Sequence, residues 1–353
     1  QDIAVVGTPG AATAMVYQRV DNQWVHRTTL RAPDGQRDEG FGKSVTVYGE
    51  TAAVGADHSV FVFENIATSY NLVAKLASPD QRANFGRAVD LWEDVLVVGA
   101  PGTDAVFVYR RSEHGQRWKL EQRLDGPGGF GRSVSAGEEL IAVGANDHAI
   151  VYRFVPNGWH LQEQLDPEEG EIGFGASVAV QRWFLAVGAE GGGKALRNGS
   201  VSVYETDGEK WYSQNHLTTQ GLAHDSFFGG AVALSEDSVI VGAAGRGHGA
   251  TYLFNRALDQ WELSKKFTSQ WRLGPSLASA ALLIAATFVA FMPFFTTFDS
   301  NASGVLPLLS LLTRPLHLVL LWGVAGLLVL PMLAIALKSV FVPGSWNTKR
   351  LGV

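Results

Sequence analysis

The 353-residue chain contains no cysteine, and this absence removes several functions at once. Without a thiol there is no disulfide scaffold, no cysteine-ligated zinc, no iron–sulfur centre and no thiol nucleophile. Positive charge is also scarce: 28 Lys and Arg stand against 34 Asp and Glu, a net charge of −6. Nucleic-acid binding usually rests on a basic field, so nucleic acid is not an expected partner. No Gly-x-Ser-x-Gly, His-Glu-x-x-His or phosphate-loop motif occurs. The nine histidines are scattered. No catalytic residue, cofactor or resident metal is therefore assigned, and the chain is not expected to be an enzyme. What is abundant is glycine, 40 residues without a collagen period, which predicts many tight turns.

The chain divides in two. Residues 1–269 are mixed and charged, whereas residues 270–353 are strongly apolar. No Asp, Glu, Lys or Arg lies between Arg272 and Asp299, or between Arg314 and Lys338. Each stretch exceeds the roughly 20 apolar residues needed to cross a bilayer. Helices over about 273–298 and 315–337, joined as a hairpin, are predicted to span a membrane and to contact lipid. Ser276, Ala280, Ala281, Ala285 and Ala286 in the first, and Gly323 and Gly326 in the second, suit close helix packing with each other or with further transmembrane subunits. His317 lies near the start of the second stretch, two residues after Pro315, and is read as interfacial. The sequence starts at Gln1 with no leader in front of it, as expected after processing or for a fragment.

Residues 1–269 are repetitive. Five Phe-Gly steps occur, with glycines Gly42, Gly86, Gly131, Gly175 and Gly229; each is followed by a Ser-Val or Ala-Val pair. Some ten residues further on, an apolar run ends in Gly-Ala at Gly55, Gly99, Gly144, Gly188 and Gly242, with an earlier equivalent at Gly7. An aromatic alternating strand follows each, for example Val106-Phe107-Val108-Tyr109. A fourth strand then opens on Trp24, Tyr70, Trp118, Trp159, Trp211 or Trp261. Four short strands per unit of about 45 residues predict an all-β propeller, with each sheet hiding its faces against its neighbours. Six units are visible, and the first lacks its Phe-Gly strand. The expected phenylalanine role is to plug the contact between blades. The glycine permits a positive φ or a close backbone approach.

These steps, with Gly99-Ala100-Pro101-Gly102, resemble the FG-GAP repeats of integrin α-subunit heads. The resemblance spans about residues 1–269. It implies a propeller of six or seven blades, an extracellular or luminal setting, and recognition of a protein or glycan in adhesion. It does not carry calcium with it. The loops Ala56-Asp57-His58, Gly102-Thr103-Asp104, Asn146-Asp147-His148, Glu190-Gly191-Gly192-Gly193 and Gly245-Arg246-Gly247-His248 lack the oxygen ligands of a hard-cation cage. Sidedness stays open. Lys265, Lys266, Arg272, Lys338, Lys349 and Arg350 flank the spans on the propeller side, and by the positive-inside rule they place it in the cytoplasm or matrix. Asn198-Gly199-Ser200 makes Asn198 a glycosylation candidate if the head is luminal, and Asn301-Ala302-Ser303 is a second such triplet.

Four further features carry paired readings. Asp57-His58 and Asp147-His148 are either turn residues or a metal or acid/base pair on one face of the ring. Trp92 and Trp183, between first and second strands, are either blade packing or a ligand platform. The acidic run from Asp166 to Glu171 is either a solvated loop or a cation patch. Three function readings follow, in this order: a membrane-anchored recognition module, a structural scaffold subunit of a membrane complex and, last, a hydrolase by analogy with hydrolases that carry propellers.

Overall fold

A computed structural model describes residues 3–33, 40–66, 69–78, 83–112, 117–169, 171–191, 199–218, 227–244, 249–258 and 260–268. The chain separates into two units, residues 1–269 and 270–353. The membrane-span assignments at 273–298 and 315–337 and the candidate Asn198 lie outside the described residues. Among those described, no helix is long and apolar enough to cross a membrane.

The first unit is a six-bladed all-β propeller. Among the described residues, 23 strands form six antiparallel sheets in chain order. Sheets two to six have four strands each; sheet one has three, Ile3–Thr8, Thr13–Val20 and Gln23–Arg31. These three correspond to the second, third and outer strands of the other sheets. The second strand of sheets two to five is buried along its whole length, as in Val95–Ala100 and Leu140–Ala145. Such strands read as continuous apolar runs because both of their faces meet other sheets. The outer strands of sheets three to five, Trp118–Asp125, Gly158–Leu165 and Trp211–Leu217, bury a tryptophan near the start and a leucine near the end, with mostly exposed residues between.

A register shift recurs between the third and outer strands of all six sheets, at Val16/Tyr17, Val62/Phe63, Val108/Tyr109, Val151/Tyr152, Val203/Tyr204 and Leu253/Phe254. An irregularity of this kind increases local twist. The twist lets the outer strand follow its blade away from the inner edge.

Five joints hold consecutive sheets together, each with its own apolar cluster. The five Phe-Gly phenylalanines, Phe41, Phe85, Phe130, Phe174 and Phe228, are completely buried and belong one to each cluster. Phe130, for instance, packs with Val106 and Val108 of sheet three and with Ile141 and Tyr152 of its own sheet. The following glycines have φ of 89°, 87°, 90°, 83° and 85°. Gly131 shows the reason. Its N–H donates to the Gly144 carbonyl of its own sheet at 3.0 Å. A side chain on it would meet the backbone of the preceding blade, 2.7 Å from the Ala105 carbonyl oxygen and 3.0 Å from the Ala100 nitrogen. Backbone meets backbone across the joint, which only glycine permits.

Candidate recognition face

Turns between first and second strands gather on one face of the propeller with those between third and outer strands. This face carries two clefts with aromatic walls. One, of about 420 Å³, lies between sheets three and four and is lined by Trp92, Glu93, Asp94, Glu138, Glu139 and Arg110, among others. Trp92 closes the inner strand Ala88–Trp92 and leans on Tyr48 of sheet two, with ring centroids 5.3 Å apart. Arg110 lies over the Phe154 ring, 4.9 Å from its centroid, and pairs with Glu121 at 2.6 Å and Asp94 at 3.1 Å. Those two carboxylates, Glu121 first, hold its guanidinium still more firmly protonated than usual. Trp159 donates from its indole nitrogen to Glu121 at 3.1 Å. The cleft therefore combines aromatic walls with an excess of carboxylates around one neutralised guanidinium.

The equivalent place between sheets five and six holds a second cleft of about 550 Å³, lined by Arg182, Trp183, Phe184, Glu236, Asp237 and Arg256, among others. Trp183 is 47% exposed, with the Arg182 guanidinium 5.6 Å from its ring. Arg256 stacks on Phe184 at 4.5 Å and pairs with Glu205 at 3.6 Å. The two tryptophans thus differ: Trp92 is half-buried against neighbouring blades, and Trp183 is presented to solvent.

The Asp-His dipeptides are divided by the fold. Asp57 pairs with Lys43 at 2.6 Å. Asp147 accepts the Gly173 N–H at 2.9 Å, tying the Gly-Ala turn of sheet four to the segment entering sheet five. Asp104 does the same for Gly129 at 2.6 Å. His148 turns instead to Asp166, at 2.8 Å from Nδ1. These carboxylates fasten turns, and neither dipeptide forms an internal acid/base pair. The acidic run is likewise partly consumed. Hydrogen bonds from Gln164 and then His148 hold the Asp166 carboxyl below the ordinary range. Glu171 is nearly sealed, accepts the Ser200 hydroxyl at 2.6 Å and lies 3.5 Å from His216 Nδ1. Burial, then Glu171 and Glu168, push the Tyr204 phenol up to about 12.

Ser202, His216 and Glu171 have the residue types of a catalytic triad but not its geometry. The Ser202 hydroxyl, at 3.3 Å, and the Glu171 carboxylate both face His216 Nδ1. A proton relay needs the hydroxyl on one imidazole nitrogen and the carboxylate on the other. Among the described residues, no group of three or more His, Asp or Glu is placed to hold a metal ion.

Asp90 is the residue that sequence reasoning passed over. It occupies the middle of the inner strand Ala88–Trp92, at the position held by Thr46 in sheet two and Ser135 in sheet four. Its Oδ1 accepts the Thr46 hydroxyl at 3.0 Å and the Leu91 N–H at 2.9 Å; its Oδ2 accepts the Ala136 N–H at 2.8 Å. Ser135 repeats the link one joint on, accepting the Val180 N–H at 3.1 Å. Desolvation pushes the Asp90 carboxyl above the ordinary range, against the opposing pull of its hydrogen bonds. The one available signal was a lone acid in the otherwise apolar run Ala88-Val89-Asp90-Leu91-Trp92.

The FG-GAP repeat model matches residues 24–62 and 211–254. The propeller carries FG-GAP repeats. Each matched FG-GAP segment starts at the outer strand of one blade and runs through the first three strands of the next, so it contains a whole joint. Integrin alpha-PS5 of Drosophila melanogaster is 33% identical over 135 residues, which is 33% of this chain and 13% of that protein. Two solved structures share the fold at low identity. One is described as a putative 6-phosphogluconolactonase from Bacteroides fragilis (TM-score 0.51, 10% identity, covering 74% of this chain and 78% of that one). The other is a protein from Lactobacillus plantarum (TM-score 0.56, 15% identity, 75% and 81%).

Proposed function

We propose that this chain is a membrane-anchored FG-GAP propeller that recognises a protein or glycan ligand through the face bearing Trp92 and Trp183. The observation that carries the reading is the pair of equivalent inter-blade clefts, each combining aromatic rings with charged side chains. Aromatic and arginine side chains are enriched where proteins bind one another. The Trp92 cleft offers Glu93, Asp94, Glu138 and Glu139 against Arg110, which favours a protein ligand presenting Lys or Arg over a neutral glycan. The Drosophila integrin relative supports recognition as the task. No reaction is proposed: a propeller shared with a lactonase-like structure at 10% identity supports the fold alone. We place the anchor in residues 270–353 and the head on the extracellular or luminal side. The flanking lysines and arginines argue for the opposite side.

The test is affinity capture with the full chain beside a Trp92→Ala/Trp183→Ala/Glu138→Lys variant. A ligand held by the wild type and reduced at least about tenfold by the variant supports the reading. Equal capture by both, or none by either, overturns it. The second reading, a scaffold subunit of a membrane complex, is favoured by apolar side chains left exposed on sheet six, Ile240 at 45% and Phe267 at 48%. Native electrophoresis of the solubilised protein separates the two: migration as a single chain with its detergent speaks against the scaffold.

A further inference from the structure

One position of the repeat sets a side chain of each blade toward the following blade, on the face that bears Trp92 and Trp183. It is the third-strand residue paired with the first residue of the second strand: Glu64 with Thr51, Arg110 with Val95, Arg153 with Leu140 and Glu205 with Phe184. The following blade answers with the residue one further along its own third strand: Arg111, Phe154, Thr206 and Arg256. Three of these joints are matched. Arg111 pairs with Glu64 at 3.4 Å, and Arg256 pairs with Glu205 at 3.6 Å. Arg110 lies over the Phe154 ring and is held by Glu121 and Asp94 of its own sheet.

The joint between sheets four and five is not matched. Arg153 has Thr206 as its counterpart, and that hydroxyl is already engaged: it donates to the Lys210 carbonyl at 2.7 Å and accepts the Gly208 N–H at 3.0 Å. Glu121, which secures Arg110, has Gln162 in its place at the register shift of sheet four. Gln162 carries no charge, and its amide is spent on sheet five. Its Oε1 accepts the Trp211 indole N–H at 3.4 Å, and its Nε2 donates to the Gly208 carbonyl at 3.1 Å. Glu163 is taken by the Trp211 main-chain N–H at 2.8 Å. Half-buried Arg153 is left with a sealed Nε that has no acceptor, and with no ion pair among the described residues. A desolvated donor without a partner is costly. Arg182 of sheet five spans the same joint toward Glu138 of sheet four, but at 3.9 Å and with 56% of its side chain exposed. Two weakly neutralised guanidinium groups therefore stand at this joint.

We infer that Arg153 is an anion seat in the recognition face, and that its occupant is a carboxylate of the partner, an Asp or Glu side chain. A guanidinium presents a planar fork that matches a carboxylate through two parallel N–H···O bonds. Glu121 on Arg110 shows that fit within this chain, with Nε to Oε1 at 2.6 Å and Nη2 to Oε2 at 3.2 Å. The neighbouring Trp92 cleft, between sheets three and four, is lined instead by Glu93, Asp94, Glu138 and Glu139. Adjacent joints thus ask for opposite charges: the partner presents a basic side chain to the first and an acidic one to the second. Such a pair of opposed contacts fixes the orientation of the partner and excludes ligands of the wrong charge pattern. That the carboxylate belongs to a protein rests on the proposed recognition role; the seat itself rests on the repeat geometry.

The experiment is phenylglyoxal labelling of arginines in the full chain in nanodiscs, read residue by residue by peptide mass spectrometry. Arg153 is expected to react at least about tenfold faster than Arg110, whose guanidinium two carboxylates hold. N-acetylglutamate α-amide at about 50 mM and constant ionic strength should slow Arg153 at least about twofold and leave the exposed Arg87 unchanged. Gln162→Glu sets a carboxylate where Glu121 stands beside Arg110; it should slow Arg153 about tenfold and abolish the effect of the probe. The wild-type chain with the probe decides the matter should that variant misfold. Arg153 reacting no faster than Arg110, or unslowed by the probe, overturns the inference, as does protection that persists in a folded Gln162→Glu chain. Inorganic phosphate is the second arm: protection by phosphate and not by the glutamate probe overturns the carboxylate assignment. None of these readouts needs a partner, so a failed ligand capture and a failed anion seat are told apart.

Discussion

Gly131→Val is expected to destabilise the propeller by about 4 kcal/mol. About 1–3 kcal/mol comes from holding a β-branched residue at a φ of 90°. The remainder comes from driving Cβ against the Ala105 carbonyl and the Ala100 nitrogen, at 2.7 and 3.0 Å. Those atoms are main chain and cannot rotate away, so the third and fourth sheets must part or tilt. For a domain of this size the melting temperature should fall by about 10 °C. Gly10→Ala is the control, since a Cβ there meets nothing within 4 Å. Thermal unfolding of the two variants side by side is sufficient. A Gly131→Val transition within a degree or two of the Gly10→Ala one would show that the Phe-Gly step is not the mechanical link between blades.

Asp90→Ala should cost about 3 kcal/mol, because it strips a shared acceptor from two main-chain amides and one hydroxyl. Part of Asp90 remains accessible, so water takes up some of the lost bonds and keeps the cost below the sum for three fully orphaned groups. Asp90→Asn separates charge from geometry. Its carboxyl titrates above the ordinary carboxylate range in the folded protein, so over that interval the native state holds more protons than the unfolded one. Stability from this site is therefore fully present below the ordinary carboxylate value and is lost as pH rises through the raised one. The stability of wild type relative to Asp90→Asn should fall across that window and level off above it. A difference independent of pH, or one of opposite slope, in paired denaturant titrations would refute a desolvated carboxyl at this position. Asp166 and the other carboxylates held low act in the opposite direction, and subtracting the variant curve removes them.

Much of the fold could be read from the chain because its periodicity is local. The four-strand units, the Phe-Gly entry and the Gly-Ala turn are short patterns, and a sheet that cannot bury itself forces them to stack. The candidate recognition face was legible only in part. Trp92 and Trp183 stood out as aromatics in turns, but their difference in exposure depends on neighbouring blades. Tyr48 leans on Trp92 from a different repeat. The dipeptide Asp57-His58 invites a paired reading in one dimension, whereas Lys43, fourteen residues earlier, is what meets the aspartate. Asp90 was missed because its partners Thr46 and Ala136 sit 44 and 46 residues away in sequence.

Sequence alone determined the repeat, the blade count visible in it, the incomplete first unit and the apolar character of residues 270–353, because each is a matter of composition or spacing. Tertiary structure decided which residues bridge the blades, which carboxylates are consumed in fastening turns, and which Gly-Ala turns a neighbouring blade covers. Those outcomes depend on what a neighbouring sheet places opposite each side chain. Gly188 and Gly242 occupy the same place in the repeat; only the packing shows that a carbonyl covers the first and no described residue does so for the second.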